Sequence, residues 1–157
     1  MKTKEVETVK EMTIEEMTMT MAIEKEEFAK GFSNISHWCA GIVFLKDGKE
    51  DETGEEHELS EFPLSKEARQ ILSDIAYKFF DENYVNIKII ANEIERNRYQ
   101  NPNNENAFTY AGYDLHSGFY GRKYSPILNN ELALNAERTK INFPALVLGE
   151  NNLVIVE

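Results

Sequence analysis

Cysteine is almost missing from this chain of 157 residues. With Cys39 alone, neither an intramolecular disulfide framework nor a multi-cysteine zinc site is available. Long apolar runs are missing too. No stretch reaches the ~18 apolar residues of a transmembrane helix. The start, Met1 to Lys10, lacks the apolar core of a signal peptide, so the expectation is a cytoplasmic protein with no membrane partner. Positive charge is scarce: 17 basic side chains face 28 acidic ones, a formal charge of −11. The resulting pI near 4.8 argues against direct nucleic-acid binding through a basic face. No segment is rich enough in Pro, Gly or Ser to act as a linker, and no internal repeat is present, so residues 1–157 read as a single domain. Its 41% hydrophobic content is enough for a real core.

The negative charge is unevenly placed. Residues 1–62 carry 16 acidic and 7 basic side chains, a net −9, while residues 63–157 carry 12 and 10, a net −2. Clusters form at Glu11/Glu15/Glu16 and at Glu24/Glu26/Glu27. The densest comprises Glu50, Asp51, Glu52, Glu55, Glu56, Glu58 and Glu61, in a polar stretch over 46–62 that reads as an acidic loop. Like charges this close repel one another unless solvent or a partner offsets them.

Several elements follow from local pattern. Met17, Met19, Met21 and Ile23 alternate with Thr18, Thr20 and Ala22, the period of a half-buried strand whose methionines face a core. Phe28 and Phe32 share a face of a short helix over about 24–33, with Gly31 near its end. Trp38 to Leu45 is an apolar run with the look of a buried strand, followed by turn chemistry at Lys46-Asp47-Gly48-Lys49. A long amphipathic helix is predicted over about 65–82. Ser65 is its N-cap, and Ala68, Ile71, Leu72, Ile75, Ala76, Phe79 and Phe80 form one stripe. Val85, Ile87 and Ile89 alternate as a further strand, and 143–148 with 153–156 read as a hairpin closed by Gly149-Glu150-Asn151-Asn152. The fold class expected is therefore α+β, a mostly antiparallel sheet of about five strands with the long helix packed on it.

Residues 99–126 form a Tyr/Gly/Arg-rich segment that reads as a recognition loop. Arg98, Tyr110, Tyr113, Tyr120, Arg122, Lys123 and Tyr124 belong to the residue types enriched at binding hot spots or suited to holding an anion. Asp114 and His116 lie two apart, on one side of an extended chain, with Ser117 adjacent. The run Gly118 to Lys123 lacks the Gly-Lys-Ser/Thr ending of a phosphate loop. His57-Glu58-x-x-Glu61 lacks the second histidine of a zinc-protease helix, so neither a cofactor nor a metal is expected.

Two functions fit these residues. The first is a non-enzymatic module whose acidic cluster engages a basic macromolecular partner. Its concrete form is an inhibitor of phage or mobile-element type that mimics nucleic acid on a partner's basic binding surface, in an anti-defence role. The second is a small ligand-binding domain or hydrolase acting on a polar or phosphorylated molecule through the 110–124 segment. A homodimer is a further option, paired through the Met-rich or the final strand.

Overall fold

A computed structural model describes residues 13–96, 106–119 and 141–156 of the chain. The class is α+β, with most of the described residues in four helices: α1 (Ile14–Trp38), α2 (Lys66–Glu82), α3 (Tyr84–Arg96) and α4 (Ala107–Phe119). The strands are β1 (Ile42–Lys46), β2 (Lys49–Glu50), β3 (Glu55–Glu58), β4 (Leu146–Leu148) and β5 (Leu153–Ile155). They do not form the expected five-stranded sheet. They form two antiparallel sheets, one ordered β2-β1-β3 and one of β4-β5.

Helix α1 absorbs three sequence expectations at once. The Met-rich stretch is helical, the 24–33 helix is only its middle, and Trp38 is its last residue rather than the start of a strand. Thr13 caps it, its Oγ1 accepting the Glu16 N–H at 3.1 Å, and Glu15 and Glu16 sit favourably at the positive end of the helix dipole. Thr18 and Thr20 turn their hydroxyls back to the carbonyls of Ile14 and Glu16, which lets β-branched residues sit in a helix. Methionine is itself a good helix former. The alternation therefore has no structural meaning, and Met17, Met19, Met21 and Ile23 are exposed rather than part of a core, Met19 at 66%.

The long helix begins where its sequence says. Ser65 Oγ accepts the Ala68 N–H at 3.0 Å, and Ala68, Leu72, Ala76, Phe79 and Phe80 are buried. Asn83 closes α2, its N–H bonding to the Phe79 and Phe80 carbonyls, and its own carbonyl accepts the Ile87 N–H as α3 starts. The strand expected over Val85–Ile89 is a helix. The buried set is Ile87, Ile90, Ala91 and Ile94, a spacing of three and four, while Val85 and Ile89 face out.

Helix α1 lies against α2 and, most extensively, α4; α3 packs on α4. Phe28 packs between α2's Phe79 and Phe80, with ring centroids 6.3 and 5.7 Å away. The α1–α4 crossing is close enough that Gly31 faces the Thr109 carbonyl and Gly112 the Phe28 carbonyl, with no room for a Cβ at either. The final hairpin forms as predicted, over a narrower span. Its Leu153 joins the entry of α2 by bonds to Pro63 and Ser65 (both 2.8 Å), so the hairpin docks at the start of that helix and is a sheet separate from the first.

Four consecutive residues on α1 tie it to the other three helices. Glu24 accepts from Tyr84 Oη and Lys88 Nζ of α3, both at 2.8 Å. Lys25 pairs with Asp81 of α2 at 3.0 Å, and Glu26 accepts from Tyr77 Oη of α2 at 2.6 Å. Glu27 accepts from Thr109 Oγ1 of α4 at 2.6 Å. Each carboxylate of the Glu24/Glu26/Glu27 cluster is thus engaged by another helix, Glu24 buried and Glu26 still exposed.

These bonds carry a pH signature. The hydrogen bond to Glu26 pushes the Tyr77 hydroxyl up to about 12, burial raises Tyr84, and the bond to Glu24 raises Lys88. A proton held above its unfolded pKa stabilises the fold below that pKa, and the gain disappears as pH climbs through the folded value. Stability should therefore fall between about pH 10 and about 12, the unfolded and folded values of Tyr77. Urea midpoints across this range should decline less steeply in Tyr77→Phe than in the parent; identical slopes would exclude Tyr77 as a source.

Candidate functional site

The stretch expected to be an acidic loop is a folded meander. Asp47 and Gly48 both adopt positive φ (54° and 79°), the left-handed pair that a two-residue turn between β1 and β2 requires. Asp51 then turns the chain back: its Oδ1 accepts the Thr53 N–H at 2.9 Å and the Thr53 hydroxyl at 2.7 Å, and these bonds hold its carboxyl below the usual carboxylate range. After β3, the 3-10 turn Leu59–Glu61 closes with a capping box between Glu58 and Glu61. His37 Nε2 donates to the Phe62 carbonyl at 2.6 Å, fastening the exit of this turn to the end of α1.

Register sorts the side chains onto two faces. Val43 pairs with His57 and Leu45 with Glu55; Ile42 pairs with Glu58 and Phe44 with Glu56. Val43 packs on the core, so the face bearing Ile42, Phe44, Glu56 and Glu58 points outward. Ile42 is 54% and Phe44 40% exposed, and Trp38 at the end of α1 is 64% exposed. On the inner side a cleft of about 660 Å³ opens among Leu45, Thr53, Glu55, His57 and Phe62.

All seven carboxylates of the cluster, Glu50, Asp51, Glu52, Glu55, Glu56, Glu58 and Glu61, are exposed. No lysine or arginine among the described residues pairs with any of them. His57 meets two of them, its Nδ1 3.1 Å from Glu61 and its Nε2 4.0 Å from Glu55. The bond to His57 lowers the Glu61 pKa. The described residues hold no group of three His, Cys, Asp or Glu placed to bind a metal ion. No helix among them is long and apolar enough to cross a membrane.

The second candidate segment is not a loop over its described part, since 107–119 is α4. Its Tyr110, Ala111 and Leu115 are buried in the core, Tyr110 at 8% exposure, and Tyr113 meets Tyr110 edge-on with centroids 6.0 Å apart. Positions 114 and 116 both lie within this helix, so the extended geometry expected around them does not form. Arg98, Tyr120, Arg122, Lys123 and Tyr124 lie outside the described residues.

Sequence reasoning found the acidic residues and missed the exposed apolar pair beside them. The signal was there: Ile42 and Phe44 alternate with Val43 and Leu45, the pattern of a strand with two unlike faces, but an unbroken apolar run hides which face is out. The chain matches no known protein family, no curated protein and no solved structure.

Proposed function

We propose that this chain is a non-enzymatic, acidic protein-interaction module whose β1–β3 meander binds a basic surface on a partner protein. In its concrete form it is an inhibitor that covers a nucleic-acid-binding surface, its carboxylates occupying the places of phosphates. One observation carries the reading. Seven exposed carboxylates without a lysine or arginine partner among the described residues stand on a folded scaffold, beside exposed Ile42 and Phe44. Carboxylates left unneutralised on strands and their turns present negative charge to a cationic partner and speed its encounter. The aromatic and aliphatic pair adjoining them supplies the apolar contact that an interface centre needs.

Replacing Glu52, Glu55, Glu56 and Glu58 by lysine should weaken capture of the partner by about tenfold or more, and moderate salt should weaken capture by the parent protein. The experiment is affinity capture from the native host at low and high salt, with mass spectrometry of what is retained. Partner capture that ignores both salt and the four reversals would overturn the reading.

A further inference from the structure

The outer edge of β3 is a docking edge, and we infer that its occupant is an antiparallel strand of the partner bearing lysine or arginine at alternate positions. This rests on the reading of the meander as the partner-binding surface and specifies how binding occurs. In the antiparallel β1–β3 ladder, the Leu59 N–H bonds to the Gly41 carbonyl at 2.8 Å. That bond, with the register Val43–His57 and Leu45–Glu55, directs the backbone groups of His57 and Glu55 toward β1. Glu56 and Glu58 therefore turn theirs to the opposite side. The Asp51 N–H bond to the Phe44 carbonyl (3.0 Å) fits this phase, because Phe44 must then face β2. Since β3 is the last strand of its sheet, the Glu56 N–H and carbonyl meet no backbone partner among the described residues. Both backbone groups of Glu58 are taken locally: its carbonyl accepts the first bond of the 3-10 turn Leu59–Glu61, and its N–H is covered by Glu61 Oε1 at 3.4 Å.

Side-chain chemistry chooses the occupant. A second copy of this edge would set Glu56 and Glu58 against each other's carboxylates, and like charges directly opposite are destabilising. An added cationic strand meets the opposite case. The residue facing Glu56 exchanges two backbone bonds with it and sets its side chain on the Glu56/Glu58 face, where a lysine or arginine finds carboxylates on the neighbouring strand and an aliphatic stem finds Phe44. Acidic side chains here both block self-association and select the partner.

The test is fluorescence anisotropy with a labelled ten-residue peptide of alternating lysine and threonine. Beside it runs the same peptide N-methylated at its lysines, which keeps every charge and removes the donors that would face Glu56. The unmodified peptide should bind about tenfold more tightly at low salt, a difference that the two ladder bonds to Glu56 can supply. The Glu56 amide should gain hydrogen-exchange protection in the complex. In the protein, Glu56→Pro removes the outward N–H without touching the bonds to β1 and should weaken binding beyond Glu56→Gln, with circular dichroism confirming that both fold. Equal binding of the two peptides would overturn strand addition while leaving an acidic docking surface intact. Binding of neither would also overturn it, and the lysate experiment with the four reversals separately decides the underlying reading.

Discussion

Replacing Gly112 with alanine should lower the melting temperature by roughly 6–12 °C, and Gly31→Ala should do nearly the same. Intrinsic preference points the other way, since alanine is favoured over glycine within a helix by about 1 kcal/mol. The crossing of α1 and α4 decides the sign. A Cβ on Gly112 would overlap the Phe28 carbonyl and come within 2.8 Å of the Phe32 nitrogen; one on Gly31 would overlap the Thr109 carbonyl. Each obstacle is backbone, which cannot rotate aside as a side chain can, so the helices must separate. Overpacking of this kind costs about 1–3 kcal/mol, and a backbone obstacle belongs at the upper end. At roughly 2–4 °C per kcal/mol for a chain of this size, about 3 kcal/mol gives the stated shift. The two glycines serve one crossing, so the double variant should cost less than the sum of the singles. Thermal unfolding of the three variants checks all of this, and a rise in melting temperature for either single would show that the crossing is looser than described.

Lys88→Met should be the most damaging substitution among the polar ties, at about 2–3 kcal/mol. The Glu24 side chain is 8% exposed and that of Lys88 is 42% exposed. Removing the lysine strands a carboxylate in the protein, whereas removing the carboxylate frees an amine that water can reach. Breaking a fully buried pair from one side costs about 3–5 kcal/mol, and the partial exposure of Lys88 together with the remaining Tyr84 bond reduces that here. Glu24→Gln keeps an acceptor for Tyr84 and should cost only about 1 kcal/mol. Glu24→Leu combined with Lys88→Met removes both charges and should be milder than Lys88→Met alone. Urea denaturation of the set gives the ranking; a Lys88→Met variant within about 0.5 kcal/mol of the parent would mean that the carboxylate finds solvent when the lysine leaves.

The candidate site was legible in composition and illegible in shape. Seven carboxylates within residues 50–61 are visible to simple counting. That they stand on strands, and that Glu56 and Glu58 share a face with Phe44 and Ile42, follows only from the pairing of β3 with β1. The acidic run from Glu55 to Glu58 has no strand propensity of its own. Its ladder with a strongly β-prone Ile-Val-Phe-Leu segment makes it a strand.

Local chemistry was within the sequence's own reach. The Ser65 cap, the Asp47-Gly48 turn, the 66–82 helix and the closing hairpin each depend on residues a few positions apart, and each forms where local rules place it. Tertiary structure decided what short periodic runs left open. Val85, Ile87 and Ile89 fit a strand, while Ile87, Ile90, Ala91 and Ile94 fit a helix; packing against α4 buries the second set. It also decided the fate of the charge. Glu24, Glu26 and Glu27 resemble the carboxylates of the meander in type and in density, yet they are bonded to other helices, Glu24 in a buried position, because Tyr84, Lys88, Tyr77 and Thr109 arrive from 51 to 82 residues away. The net −11 of the chain is a property of the sequence. Which part of it faces outward was set by the fold, since a carboxylate turns inward only where distant donors repay the water it gives up.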